Sequence, residues 1–197
     1  MSDAPSPPLP ANDAARRRTA IRTLSLLAAV CIAPVVASYA VYYLLPRDRQ
    51  VNYGTLLPTA PAPALAGSRV DGTPFRLDAL RGKWLLLTIG GEDCGAACAR
   101  GLYATRQART MQGKEQDRIV RILLLAGTSP PDAGVLAQHP GLVVVRAPEA
   151  QGNFPGVTGT AYLVDPLGNL VLRYPEDPDV KGMAKDIGRL LKASRIG

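Results

Sequence analysis

Hydrophobic positions along the chain fall into blocks of different length and period. The first is TLSLLAAVCIAPVVASYAVYYLL, from Thr23 to Leu45, 23 positions without a charge. About 20 apolar residues suffice to cross a bilayer core, so this block predicts a single transmembrane helix. Pro34 lies inside it. Tyr39, Tyr42 and Tyr43 gather at one end, where amphipathic rings favour the membrane interface. The second block, Trp84–Ile89 (WLLLTI), is too short for a span and is closed by Gly90-Gly91. It predicts a strand buried on both faces, and Ile119–Ala126 (IVRILLLA) predicts another. Between them the stretch from Cys94 to about Met111 has no proline and several good helix formers, which predicts a helix. Strand, helix, strand implies a right-handed parallel crossover.

Shorter patterns complete the order. Ser68–Arg76 predicts a hairpin turning at Asp71-Gly72. Pro130–Gln138 predicts a short helix, Leu142–Val145 a brief strand near an edge, and residues 147–159 an irregular loop. Thr160–Val164 and Leu170–Tyr174 predict an antiparallel hairpin. Asp179–Ala193 predicts an amphipathic helix with Val180, Met183, Ile187, Leu190 and Leu191 on one face. Met1–Asn12, rich in proline, serine and alanine, is expected to be disordered, and Leu57–Ala66 (LPTAPAPALA) to be a semi-extended spacer. The expected organisation is a basic, disordered tail over 1–22, a transmembrane helix over 23–45, a linker over 46–66 and one α/β domain over 67–197.

Charge orients the span. The chain carries a formal +7, but Arg16, Arg17, Arg18 and Arg22 all precede the apolar block. The positive-inside bias therefore places the N-terminus in the cytoplasm and the domain outside. In a bacterial cell the expected location is the inner (cytoplasmic) membrane, single-pass, with the domain in the periplasm, where disulfides persist. A cleaved signal peptide is the alternative, but the run exceeds a typical signal core, and YYLLPR has no small-x-small cleavage site. From Pro46 onward 19 Lys/Arg mix with 14 Asp/Glu and form no stripe with interleaved aromatics, so nucleic acid is not an expected partner.

Three cysteines are present. Cys31, inside the apolar block, reads as a small hydrophobe. Cys94 and Cys98 lie four residues apart at the expected helix start, a spacing that shares a helix face with Cβ atoms about 5–6 Å apart. The spacing allows a disulfide. A helix N-terminus also stabilises a thiolate, giving a nucleophile or a soft-metal ligand, while Glu92 and Asp93 beside Cys94 work against that stabilisation. Two thiolates suit Cu(I). The bland alternative is a plain disulfide, which would close too small a loop to stabilise much. His139, the only histidine, sits in Gln138-His139-Pro140-Gly141 and is expected on an exposed turn, not as a ligand. Tyr103, just after the pair, is expected to be a packing residue.

A hairpin, a βαβ unit with CxxxC at the helix start, a terminal hairpin and a last helix follow the order of a thioredoxin-like fold. Residues 73–87 (TPFRLDALRGKWLLL), Asp93–Cys98 (DCGAAC) and Tyr162–Gly168 (YLVDPLG) resemble the Sco/SenC family of membrane-anchored copper chaperones and thiol-disulfide proteins. That resemblance implies a role in assembling the copper site of cytochrome c oxidase, with subunit II or another extracytoplasmic thiol protein as partner. It also implies that Cys94 and Cys98 are both the catalytic pair and the copper ligands, with Cu(I) as the candidate metal. The pattern is broken at the metal site: counted back from Tyr162, the family's histidine ligand falls near Val157, and no histidine stands there. Gly95 and Ala99 also replace the prolines that usually follow each cysteine of the motif. These departures shift the expectation toward dithiol/disulfide exchange opened by Cys94. A Cu(I) carrier without redox turnover and a docking module that uses neither cysteine are the alternatives.

Overall fold

The computed structural model describes residues 13–44, 51–92, 94–127, 133–148, 152–154 and 156–194. The chain forms two compact units, residues 1–49 and 50–197. The first is built on α1 (Asp13–Leu44), whose segment Arg16–Leu44 is long and apolar enough to cross a membrane. Residues 13–22, expected within a disordered tail, are helical instead. Ala14, Ala15, Ala20 and the arginines are good helix formers, and extending an existing helix costs far less than nucleating one. Residues 1–12 of the expected tail and 46–50 of the expected linker lie outside the described residues.

The second unit carries one sheet and three helices among the described residues. In chain order these are β1 (Thr55–Pro61), β2 (Ala66–Arg69), β3 (Pro74–Arg76), β4 (Trp84–Gly91), α2 (Ala96–Thr110), β5 (Ile119–Leu125), α3 (Ala133–Gln138), β6 (Leu142–Arg146), β7 (Ala161–Val164), β8 (Asn169–Tyr174) and α4 (Val180–Ala193). The sheet order is β1-β8-β7-β4-β5-β6-β2-β3. β4, β5 and β6 are parallel, and the remaining neighbours are antiparallel. The βαβ crossover, the terminal hairpin and the last helix thus stand in the order expected.

Two expectations are corrected. The spacer over 57–66 contains most of β1, which pairs with β8 through Thr55↔Arg173, Leu56↔Leu172, Ala60↔Leu170 and Pro61↔Asn169. Pro58 and Pro61 are compatible with this because β1 is an edge strand, where a missing N–H can face away from the ladder. The brief strand β6 is not at an edge, since Ser68 and Arg69 of β2 pair with Arg146 and Val145 and β3 lies beyond.

β4 is buried along almost its whole length and feeds both faces of the sheet. Trp84 and Leu86 pack with Met183, Ile187 and Leu191 of α4. Leu85, Leu87 and Ile89 pack with Phe75, Phe154 and Tyr162 on the other side. Burial of each large side chain stabilises the fold by about 1.5–3 kcal/mol. Central position and burial on both faces make β4 the rigid base for whatever follows its C-terminal end.

Candidate functional site: a cysteine pair at a strand–helix junction

β4 ends at Gly91 with φ +73°, a left-handed conformation that favours glycine. A Cβ there would fall 2.7 Å from the Thr158 hydroxyl, so the loop before β7 closes on the strand end. The Ala126 N–H donates to the Gly91 carbonyl at 2.7 Å and ties the end of β5 alongside. Cys94 follows, then Gly95, the N-cap of α2, which offers no side-chain acceptor to the helix. The first N–H groups of α2 therefore have no intrahelical partner, and Cys98 lies within that first turn.

The structure brings Cys94 and Cys98 together in a disulfide with Cα atoms 5.1 Å apart. Their surroundings differ. Cys98 is 0% exposed in a cluster with Leu102, Leu123, Leu125 and Val144. Cys94 is half-buried at the margin of the same cluster, as are Val135 and Leu136 of α3. A visitor therefore meets Cys94 first. Gly95 has open space where a Cβ would stand, so nothing crowds the turn at that point.

The loop that carries Val157 reaches this corner through its backbone. Gly159, at φ +92°, donates its N–H to the Ile89 carbonyl at 2.8 Å, and a Cβ on it would lie 2.7 Å from the Ala97 carbonyl. The loop is thus pressed against the first turn of α2, between the two cysteines in sequence. Val157 is 60% exposed and offers no donor atom to a metal. Among the described residues no three His, Cys, Asp or Glu side chains are grouped so as to hold a metal ion. Sulfurs bonded to each other are not thiolate ligands, and once reduced the pair supplies two soft donors, which fits Cu(I) and leaves Cu(II) short of ligands. Glu92 is exposed beside the pair, and Asp93 lies outside the described residues.

His139 is not on an exposed turn. It is 6% exposed, with Nδ1 3.5 Å from a guanidinium nitrogen of Arg121, itself buried. Arg121 also donates to the Pro140 carbonyl at 3.0 Å, and Arg106 donates to the Gln138 carbonyl. The turn after α3 is drawn inward because Arg121, in a buried strand, needs acceptors and finds them there. Burial and the nearby Arg121 and Arg106 hold the His139 imidazole below its ordinary pKa, and burial brings Arg121 down to about 10. Tyr103 is exposed, with the Arg106 guanidinium 5.8 Å from its ring centre, and does not pack in the core. Arg121 and Asp186 belong to no motif. The signal for each is a lone charge in an apolar stretch, Ile119–Leu125 for the first and the inner face of the last helix for the second.

Fold and site together define a thioredoxin-like protein with a cysteine pair where the central strand hands over to a helix. The chain belongs to the family described as transmembrane-like, thioredoxin-like, C-terminal domain, whose model matches residues 84–194. The solved structures most like it include Sco proteins, in keeping with the Sco/SenC resemblance of its sequence. Copper-bound ScoI of Arabidopsis thaliana is 17% identical with a TM-score of 0.57, covering 68% of this chain and 100% of that one. Apo Sco1 of Thermus thermophilus is 25% identical with a TM-score of 0.56, covering 74% and 98%. A Chlorobium tepidum protein assigned as a thiol:disulfide interchange protein DsbE is 21% identical with a TM-score of 0.52, covering 71% and 100%. No curated protein matches the chain in sequence.

Proposed function

We propose that this is a membrane-tethered, Sco-like thiol–disulfide exchange protein that acts through Cys94 and Cys98 and serves assembly of the copper site of cytochrome c oxidase. The observation that carries the reading is the asymmetry of the pair, one sulfur at the margin of an apolar cluster and its bonded neighbour sealed inside it. In the reduced protein, the Cys94 thiolate attacks one sulfur of a partner disulfide. The partner S–S bond breaks and its other sulfur leaves as a thiolate. Cys98 then attacks the Cys94 sulfur, closing the Cys94–Cys98 bond and releasing the second partner thiolate. Two electrons pass to the partner, and an external dithiol returns the pair to its reduced state. The partner is subunit II of the oxidase or another extracytoplasmic thiol protein, and the apolar α1 is the anchor that holds the domain on the periplasmic side of the inner membrane.

Trapping tests the order of events. Cys98→Ser is expected to accumulate a mixed disulfide through Cys94, and Cys94→Ser to accumulate none and to lose oxidase copper loading. Unchanged copper loading and partner thiol state in Cys94→Ser would sink the exchange reading. Full activity of the double serine variant would instead make the domain a docking module. Anaerobic titration of the reduced protein with Cu(I) separates exchange from metal carriage: one equivalent bound in a manner that needs both cysteines makes copper a cargo of the pair.

A further inference from the structure

We propose that the outer face of α4 is a lipid-facing surface that rests on the anionic headgroups of the membrane in which α1 is anchored, an inference that relies on the anchor role given to α1 above. Lys181, Lys185, Arg189 and Lys192 all lie on α4 and all are exposed. Their spacing of four, four and three residues gathers them within about a third of the helix circumference. The only acid inside α4 is Asp186, which is buried. Three of the acids next to the helix are engaged. Asp179 caps it by accepting from the Gly182 N–H at 2.7 Å, Asp177 lies 3.7 Å from Arg100, and Glu115 lies 2.9 Å from Arg118. Lys114, lining the same surface depression as Lys185, Arg189 and Lys192, adds a further cation. The inner face of α4 is committed to the core through Met183, Ala184, Ile187 and Leu191, so the outer face has charge to offer and no apolar stripe to bury.

A second, independent observation names the occupant. The first described residues after the apolar helix are bound to this same α4. The Val51 carbonyl accepts from Arg189, the backbone N–H groups of Tyr53 and Gly54 donate to Asp186 at 3.1 and 2.8 Å, and the Tyr53 hydroxyl accepts from the Asp179 N–H at 2.8 Å. Val51 follows Leu44, the last residue of α1, by seven positions, and a chain of that length reaches no farther than about 25 Å. The first described residues after α1 are therefore fastened to α4. A row of four cations finds its complement in a surface of anionic headgroups, and each cation favours the bound state about fivefold. The attraction is ionic and weakens with salt.

The full chain, placed in bilayer nanodiscs of phosphatidylcholine alone or with one-third phosphatidylglycerol, provides the test by amine-reactive footprinting. Lys181, Lys185 and Lys192 are expected to react about fivefold more slowly in the anionic bilayer and to recover at high salt. Equal reactivity of the three α4 lysines in the two bilayers overturns the proposal. So does protection that is the same in both and insensitive to salt, which would mean that a second copy covers the face. Release of the chain from membranes by alkaline carbonate would refute the anchor role of α1 instead, a failure distinct from that of the α4 surface.

Discussion

The corner at Cys94–Cys98 and the corner at Asp186 each fasten a short segment to a helix, with opposite chemistry. Asp186 is 1% exposed, and both of its carboxylate oxygens are met by backbone N–H groups of Tyr53 and Gly54. Around it Tyr53 stacks on Tyr174 with ring centres 6.2 Å apart, and a Cβ on Gly54 would lie 2.7 Å from the Tyr174 ring. Both hydrogen bonds to the Asp186 carboxylate come from the chain's own backbone. At the cysteine corner the fastening is a single S–S bond with one sulfur at the margin of its cluster, in a turn with open space at Gly95. A thiolate from outside can attack the Cys94 sulfur and take the place of Cys98, which leaves as a thiolate. Under the proposed function the contrast separates structure from chemistry in this domain: a buried group whose demands the backbone meets holds the fold, and one whose bond can be exchanged is free to react.

The largest effect expected from breaking that contrast is on the structural side. Asp186→Ala leaves two N–H groups without an acceptor, at about 1–3 kcal/mol each, so stability to unfolding in urea is expected to fall by about 2–6 kcal/mol. Asp186→Asn retains one acceptor oxygen and is expected to lose roughly half as much. In the protein that remains folded, the rate of thiol exchange at Cys94 is expected to be unchanged. A loss below about 1 kcal/mol for the alanine variant, or a slowed exchange rate, would show that the two corners are not separable.

A smaller effect is expected at His139, which belongs to neither class. Its imidazole is buried against Arg121, and burial, followed by the Arg121 and Arg106 charges, lowers its pKa from 6.5. A base with a lowered folded pKa binds fewer protons in the native state than in the unfolded state. Stability is therefore intact above about pH 6.5 and declines as pH falls below it. Urea midpoints measured between pH 7.5 and 5 are expected to fall toward the acid end, and the slope is expected to flatten in His139→Gln. An identical slope in that variant would assign the acid sensitivity to other groups. Arg121, Arg106, Arg109 and Asp117 are the charged groups around this turn and its supporting strand; Arg121 and Arg106 oppose a charge on the ring, and Arg109 opposes the charge on Arg121.

The βαβ core was legible because its strands are short, fully apolar runs and its helix begins after small residues, features that depend on neighbours only a few positions away. The cysteine corner was legible for the same reason, being local in sequence. What sequence concealed was long-range. β1 reads as a Pro/Ala spacer, since a strand of TLLPTAP is specified by its ladder to β8 more than 100 residues later and not by its own side chains. The inward turn at His139 depends on a guanidinium 18 positions away, and the Asp186 clamp spans 132 positions to Gly54. Helical order over 13–22 was missed because charge suggests solvation, whereas an adjoining helix supplies the nucleus.

The smallest effect is expected where a charged pair is neither buried nor exchangeable. Arg76 and Asp78 meet through two contacts, Nε to Oδ1 at 3.0 Å and Nη2 to Oδ2 at 2.5 Å, with side chains 72% and 50% exposed. The hydrogen bond from Arg76 lowers the Asp78 pKa below its ordinary 3.8, and the bond to Asp78 raises that of Arg76. A carboxyl with a lowered folded pKa contributes only above its unfolded value, and the contribution is lost as pH falls through the folded one. Water and salt already screen an ion pair this exposed, and holding two flexible side chains in register offsets what attraction is left. Arg76→Ala is therefore expected to leave the urea midpoint at pH 7 unchanged within error and to leave exchange at Cys94 untouched. A measurable loss at pH 7 that disappears at pH 3 would show that geometry alone, without burial, makes a charge structural in this domain, and the distinction drawn from Asp186 would then have to rest on something other than desolvation.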